Sequence, residues 1–200
     1  MIPYGTFTFF LIATIVLIPV IILGLMGKRS RIYNGVSTVI MIVLIFSSEK
    51  HNLFGQDYLS VQVINFLLYT IWQVLIIVYY WKSRAKNNTF SKFFMVITLS
   101  ILPLIIVKVM QSSWFGAAQL KLHENKVIEF IGFLGISYVT FKSVQLLMEI
   151  RDGSIKEIKS WKVIQFISFF PTISSGPIDR YKRFVKDDNK IPNGEHYREL

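Results

Sequence analysis

Apolar residues in this chain occur in blocks long enough to cross a lipid bilayer. The first block runs from Thr6 to Met26 without a charged residue, and a membrane-spanning helix needs about 20 mainly apolar residues because the hydrocarbon layer is about 30 Å thick. More than half of the chain, 52%, is hydrophobic. The sequence therefore predicts an all-α, polytopic integral membrane protein with about five membrane helices, at residues 6–26, 32–46, 61–81, 93–109 and 127–150.

The positive charges predict how the chain is oriented in the membrane. The formal net charge is +10, and the Lys and Arg residues lie in short connections such as 28–31 and 82–92, the second of which has no acidic residue. Cytoplasmic loops are enriched in Lys and Arg, so we expect an extracellular N-terminus. Topology explains the charge better than nucleic-acid binding does, because the sequence has no separate basic domain that could hold a duplex.

Few residue types in this sequence suit nucleophilic or metal chemistry. There is no cysteine, so no thiolate is present. His123-Glu124 begins like the helix motif of zinc proteases, but the position where the second histidine is required holds Val127. His51 and His196 lie in hydrophilic stretches. We expect no metal site and no catalytic histidine among these residues.

A polar stripe marks the fifth predicted span. Its members are three and four residues apart, which places them on one face of a helix: Gly135, Tyr138, Lys142, Gln145 and Glu149. A lysine inside a membrane span is a functional hypothesis by default. The alternatives are a Lys142 side chain that extends to the interface and a structural pair with Glu149.

The third predicted span has a weaker polar stripe, formed by Asn65, Tyr69 and Gln73. Hydrogen bonds between membrane helices explain such a pattern, each contributing about 0.6 kcal/mol. We therefore expect these residues to hold helices together and not to bind a substrate.

The segment after the fifth span breaks the helical pattern. Pro171 and the pair Gly176-Pro177 interrupt an apolar run with small polar residues between them, and each proline disfavours helix. Non-helical backbone at membrane depth requires protein or a water-filled cavity around it. The sequence therefore predicts an interfacial and re-entrant element over 155–178, with an amphipathic start over 155–161 suited to the membrane surface and a hydrophilic tail over 179–200.

Two stretches carry a resemblance to a known family. Residues 135–142, GISYVTFK, and 170–180, FPTISSGPIDR, strongly resemble the membrane-bound O-acyltransferases, in particular the bacterial members that attach D-alanine to teichoic and lipoteichoic acid. The likeness extends over all 200 residues and corresponds to the N-terminal half of the family's ring of helices, which surrounds a funnel.

The resemblance implies an activity and a set of partners. An acidic carrier protein in the cytoplasm would supply D-alanine as a phosphopantetheine thioester, and the protein itself would bind no cofactor. A hydroxyl of teichoic acid outside the bacterial cell membrane would accept the D-alanyl group, with the help of a second membrane-anchored protein. A thioester is a good electrophile, and the attacking hydroxyl needs a base.

The resemblance also implies roles for residues. The family's catalytic histidine is expected downstream of residue 200, so this chain alone is expected to be an inactive fragment. Lys142 would meet a carbonyl or phosphate oxygen from the cytoplasmic side. The residues expected to line the funnel or the substrate path are Tyr138, Lys142, Pro171, Thr172, Ser175, Gly176 and Pro177.

Some alternatives remain open at the level of sequence. Lys156, Lys159 and Lys162 could attract the acidic carrier or lie on anionic membrane lipid. Broken helices and an intramembrane lysine are also typical of transporters and channels. A non-catalytic membrane assembly module is a third interpretation.

Overall fold

The computed structural model describes residues 7–28, 31–46, 58–86, 89–111, 135–155, 157–169, 172–173 and 179–189. The regular structure in these ranges is helical throughout, as the sequence predicts. In chain order the helices are α1 (Phe7–Leu25), α2 (Arg31–Phe46), α3 (Tyr58–Lys86), α4 (Phe90–Gln111), α5 (Ile136–Arg151), α6 (Ser160–Ile167) and α7 (Tyr181–Asn189).

Three of the described helices are long and apolar enough to cross a membrane. They are α1, the part of α3 from Val63 to Ala85, and the part of α4 from Phe90 to Val109. Helix α2 is equally free of acidic residues but has only 16 residues, which is short for a span, as its sequence indicates. The chain is thus an all-α membrane protein.

The chain divides into two compact units, Met1–Val63 with Lys186–Leu200, and Ile64–Val185. In the first unit, α1 and α2 lie against each other, and the hydroxyl of Tyr33 on α2 donates a hydrogen bond to the carbonyl of Val16 on α1 at 2.9 Å. Most large apolar side chains of α1 are exposed, as expected for a helix whose surroundings are lipid.

In the second unit, α3, α4 and α5 share a buried hydrogen-bond network. The Tyr69 hydroxyl lies 2.7 Å from Oγ1 of Thr140 on α5. Gln73 donates from Nε2 to the Ser100 carbonyl on α4 at 3.0 Å and accepts from the Ser100 hydroxyl at 2.7 Å. The prediction that the stripe on α3 joins helices is confirmed for Tyr69 and Gln73. Asn65 is also buried, but its side-chain amide makes no hydrogen bond to other residues that the structure describes.

A left-handed glycine precedes helix α5. The helix begins at Ile136, nine residues after the predicted start of the fifth span, and its N-cap Gly135 has φ 90° and ψ 2°, a conformation that cannot continue a right-handed helix. Residues 127–134 lie outside the described ranges. The end of the helix at Arg151 agrees with the predicted end to within one residue.

The elements after α5 also differ from the sequence-based expectation. In the stretch 155–161 the described residues before Ser160 are not helical, and α6 begins only there. The stretch predicted as a hydrophilic tail contains α7, most of whose residues are charged or polar. Its apolar residues Tyr181, Phe184 and Val185 are three and four positions apart, which gives this short helix one apolar face.

Candidate functional site on helix α5

The polar stripe of α5 faces the three segments that follow it in the chain. Gly135, Lys142 and Glu149 lie seven residues apart, so they occupy successive levels of one helix face, about 10 Å apart at 1.5 Å per residue. They contact the turn at Ile173, the end of α6 and the beginning of α7, respectively.

Lys142 caps the C-terminal end of α6. Its side chain is buried, with 1% of its surface exposed, and Nζ donates to the carbonyl oxygens of Phe166 and Ile167 at 3.3 and 3.4 Å. These are the last two residues of α6, where carbonyls lack partners within the helix and the helix dipole favours a cation. Nζ also lies 5.7 Å from the centre of the Phe166 ring, within the range of a cation–π contact.

This geometry excludes two of the interpretations considered for Lys142. A side chain that is almost fully buried and bonded to backbone carbonyls does not extend to the aqueous interface. Within the described ranges it also makes no ion pair with Glu149, whose carboxylate is directed to a different helix. Its expected contact with a substrate oxygen stays a prediction.

Glu149 binds the N-terminal end of α7. It is 7% exposed, and its Oε2 accepts a hydrogen bond from the backbone N–H of Lys182 at 3.3 Å. Lys182 lies in the first turn of α7, where backbone N–H groups have no partner within the helix and a negative charge is favourable. The other oxygen, Oε1, is buried and accepts no hydrogen bond from the described residues, so within these ranges the carboxylate has a single hydrogen bond.

Gly135 admits a close approach of the turn that contains Thr172 and Ile173. A Cβ atom at position 135 would collide with the Ile173 carbonyl oxygen and lie 3.1 Å from its Cγ2. Ile173 is fully buried, and the Thr172 backbone N–H donates to the Phe169 carbonyl at 3.1 Å. A glycine is thus required at position 135 by its backbone conformation and by its neighbour.

Aromatic contacts hold the two ends of the broken segment together. The ring of Phe166 lies 5.5 Å from that of Tyr181 and 5.4 Å from that of Phe184, and the Phe169 and Phe184 rings are 5.7 Å apart. These distances are typical of edge-to-face aromatic pairs. Burial raises the pKa of the Tyr181 hydroxyl, which keeps this member of the cluster neutral.

Together these contacts trace the path of the chain along α5. It leaves α6 beside Lys142, touches Gly135 about 10 Å further along the helix, and returns to Glu149 about 10 Å on the other side of Lys142. The stripe recognised in the sequence is therefore the surface against which the broken segment is held.

The structure brings together only part of the residue set expected to line a funnel. Lys142 and Thr172 belong to the contacts described above, and Tyr138 is partly exposed on α5 between Gly135 and Lys142. Four predicted site residues lie outside the described ranges: Pro171, Ser175, Gly176 and Pro177.

The basic residues near α6 differ in exposure. Lys159 is exposed, whereas Lys162 is buried and its Nζ lies 4.6 Å from the centre of the Trp161 ring. Lys156 and the three histidines lie outside the described ranges.

Sequence reasoning missed the aromatic residues that close the broken segment. Tyr181 and Phe184 were overlooked because they lie among charged residues, although their spacing of three residues was a usable signal. The pairing of Phe166 with them depends on residues 15 and 18 positions apart, which helical periodicity does not report.

Comparison with known proteins gives three relatives that share one name. No protein-family model matches the chain. It is 47% identical over 201 residues to a teichoic acid D-alanyltransferase of Bacillus subtilis (strain 168), an alignment that covers 100% of this chain and 47% of the relative. The proteins of the same name from Lacticaseibacillus rhamnosus and Streptococcus thermophilus are 39% and 34% identical, over 99% and 96% of this chain and 45% and 41% of their own lengths. The chain thus spans about half the length of the curated relatives it matches, and over that half it is similar to teichoic acid D-alanyltransferases from three bacterial species.

Proposed function

We propose that the protein carrying this chain is a membrane-bound O-acyltransferase that attaches D-alanine to teichoic or lipoteichoic acid, and that residues 1–200 form the N-terminal half of its helical ring. The observation that carries the proposal is the 47% identity to a teichoic acid D-alanyltransferase along the whole chain. The two stretches that resemble the acyltransferase family, 135–142 and 170–180, are also neighbours in space through Gly135 and Ile173.

The proposed reaction is an acyl transfer from sulfur to oxygen. A hydroxyl of the acceptor attacks the carbonyl of a D-alanyl thioester carried on the phosphopantetheine arm of a carrier protein. The C–S bond breaks, an ester forms, and the thiol takes the proton that a base has removed from the hydroxyl. Family resemblance assigns that base to a histidine beyond residue 200. The residues of this chain would position the substrate path.

We assign Lys142 a positioning role in this path. Its two hydrogen bonds fix the end of α6, the point from which the broken segment departs. The segment would form a re-entrant wall of the funnel. Thr172 would lie on the surface of this wall, Tyr138 would lie beside it on α5, and Pro171 and Pro177 would determine the backbone conformation of the segment. Hydrogen bonds to a charged donor contribute about 1.5–3 kcal/mol each, so the loss of both would release this wall.

The exposed face of α6 fits the membrane surface better than a protein partner. Trp161 and Ile164 are 48% and 44% exposed and lie three residues apart, with Lys159 beside them. An amphipathic helix with Trp on its apolar face and Lys at its edge lies in the interface of a bilayer. Of the two partners considered for these lysines, anionic lipid is therefore the one we propose for α6.

The function can be tested in a strain that lacks the gene, by measuring the D-alanine that mild base releases from teichoic acid. We expect almost no ester-linked D-alanine in this strain and full recovery on complementation. An undiminished D-alanine content after deletion would contradict the proposed function. The transporter and assembly-module alternatives receive no support from the relatives, all of which have a transferase name.

The role of Lys142 has its own test in the same strain. Complementation with Lys142→Met, which keeps the apolar stem but removes the donors, should lower D-alanine esters at least about tenfold, since 1.4 kcal/mol corresponds to that factor. Lys142→Arg should recover part of the activity because it restores a cationic donor. The matched control is Lys182→Met, an exposed side chain. Wild-type activity in Lys142→Met, at equal protein level in the membrane, would refute the positioning role.

A further inference from the structure

Arg84 and Arg151 lie at the C-terminal ends of α3 and α5, and the charges of both act on Tyr80, close to where the spanning part of α3 ends. Arg84 lies on α3 one turn after the buried Tyr80. Its Nη2 is so close to the backbone of Gly153 that a Cβ atom there would be only 2.9 Å away. Gly153 has φ 75° and follows Arg151 by two residues. A glycine at this turn therefore leaves room for the guanidinium group of Arg84.

Arg151 is held by aromatic rings and not by a carboxylate. Its guanidinium carbon lies 4.3 Å from the centre of the Phe93 ring and 5.3 Å from that of Phe90. The Phe93 ring also packs against Tyr80 at 5.8 Å. Aromatic faces orient a guanidinium group but leave its edge free for hydrogen bonds.

Neither arginine forms an ion pair within the described part of the chain, although the negative charge of Asp152 acts on Tyr80 together with theirs. Within the same residues Arg84 makes no hydrogen bond, and its Nε is fully buried. Asp152 lies next to Arg151 in sequence but forms no ion pair with either arginine among the described contacts. The connection that follows Arg84 adds further lysines and no acid. A buried donor of a charged group without a partner is costly, so this arrangement calls for an anion.

We propose that Arg84 and Arg151 bind the phosphate group of an anionic phospholipid at the membrane interface. A guanidinium group presents paired N–H donors that match phosphate oxygens. The site lies where the spanning part of α3 ends, so a phospholipid headgroup can reach it while its acyl chains stay in the hydrocarbon layer beside the helix.

The test uses the complete protein purified in neutral detergent, with thermal unfolding measured as phosphatidylglycerol or phosphatidylcholine is added. A ligand that binds the folded state raises its stability in proportion to ln(1 + [L]/Kd). We expect phosphatidylglycerol to raise the midpoint of the wild type more than phosphatidylcholine does. In Arg84→Gln, the difference between the two lipids should fall by at least about half. In Arg84→Lys, which keeps the positive charge but not the paired N–H donors of a guanidinium group, it should fall by less.

The matched control is Lys82→Gln, which removes an exposed positive charge of the same connection and should leave the phosphatidylglycerol effect unchanged. Equal effects in Arg84→Gln, Arg84→Lys and wild type would overturn the proposal, as would inorganic phosphate that reproduces the whole effect of the lipid. Weaker binding of a purified acidic carrier protein to Arg84→Gln, with an unchanged lipid effect, would also overturn it and assign the surface to the carrier.

Discussion

Gly135 is a residue at which the structure leaves no room for a side chain. An alanine there would keep a left-handed backbone that L-residues avoid and would place Cβ against the Ile173 carbonyl. Strain of this kind costs about 1–3 kcal/mol. We expect Gly135→Ala to lower the midpoint of thermal unfolding in detergent and to speed amide exchange around Ile173.

Gly35 supplies the matched control for this substitution. It lies inside α2, and a Cβ there would meet no atom within 4 Å. Glycine inside a helix is less stable than alanine by about 0.5–1 kcal/mol, so Gly35→Ala should leave stability unchanged or raise it. A Gly135→Ala protein as stable as the wild type would show that the turn at Ile173 does not hold Gly135 in the described geometry.

Single residues also show where sequence reasoning stops. The position of Lys142 on a polar helix face was predictable from a spacing of three and four residues. Its partners were not, because they are backbone carbonyls 24 and 25 residues away, and any residue type supplies a carbonyl. The left-handed conformation of Gly135 was missed for a related reason: the stripe continues through it, and an isolated glycine is tolerated in a helical pattern.

Among the helices, α7 depends on a neighbour for its N-terminal cap. Glu149→Ala removes the acceptor of the Lys182 N–H, and loss of a cap costs about 1 kcal/mol. We therefore expect amide exchange in the first turn of α7 to become about fivefold faster, by the relation of 1.4 kcal/mol to a factor of ten. Hydrogen–deuterium exchange followed by mass spectrometry measures this directly.

Asp179→Asn is the control for that experiment. Asp179 forms an exposed contact with Arg183 at 3.9 Å, and exposed ion pairs contribute about 0–1 kcal/mol. An asparagine oxygen can still accept from the Arg180 N–H, as Asp179 does at 2.8 Å. If both variants changed the exchange of α7 equally, the capping role of Glu149 would be wrong.

The contact between α3 and α5 can be measured as a coupling energy. Tyr69→Phe and Thr140→Val each remove one hydroxyl of the 2.7 Å pair. A double-mutant cycle should give a coupling of about 0.6 kcal/mol, the mean for hydrogen bonds between membrane helices. Thr98→Val is the control partner, because the Thr98 hydroxyl bonds within its own helix and its effect should add to that of Tyr69→Phe. Strict additivity in the first pair would contradict the described contact.

Helices were predictable from the sequence to the extent that apolar length defines them. The ends of α1 and α2 agree with the predicted spans to within one residue, and charged residues follow both blocks, at Lys28 and at Glu49. Helix α3 extends five residues beyond its predicted end, through Lys82 and Arg84. Those residues are good helix formers, although they cannot lie in the hydrocarbon. Helix α6 was not predicted, because the amphipathic stretch recognised in the sequence was 155–161, whereas the helix begins only at Ser160.

The whole molecule combines apolar helices with connections of unequal charge, and this pattern makes its orientation testable. The connection after α1 and the stretch 82–92 around the end of α3 are basic, whereas residues 47–58 have no positive excess. Because cytoplasmic loops retain Lys and Arg, the proposed N-terminus lies outside. Tyr79 and Trp81 at the end of α3 fit the aromatic belt of the cytoplasmic interface.

Cysteine labelling in intact cells can decide this orientation, because residues 1–200 contain no cysteine and the unsubstituted protein, labelled in parallel, reports any cysteine elsewhere. A membrane-impermeant maleimide should label Gln56→Cys, in the connection after α2, but not Lys28→Cys or Lys82→Cys. Permeabilised cells should label all three, which controls for side chains that are merely inaccessible. Labelling of Lys28→Cys and Lys82→Cys but not of Gln56→Cys in intact cells would show that the orientation is the opposite of the one proposed. The basic end of α3, with Arg84, would then face the outside, and a cytoplasmic carrier could not approach the α5 site from that end.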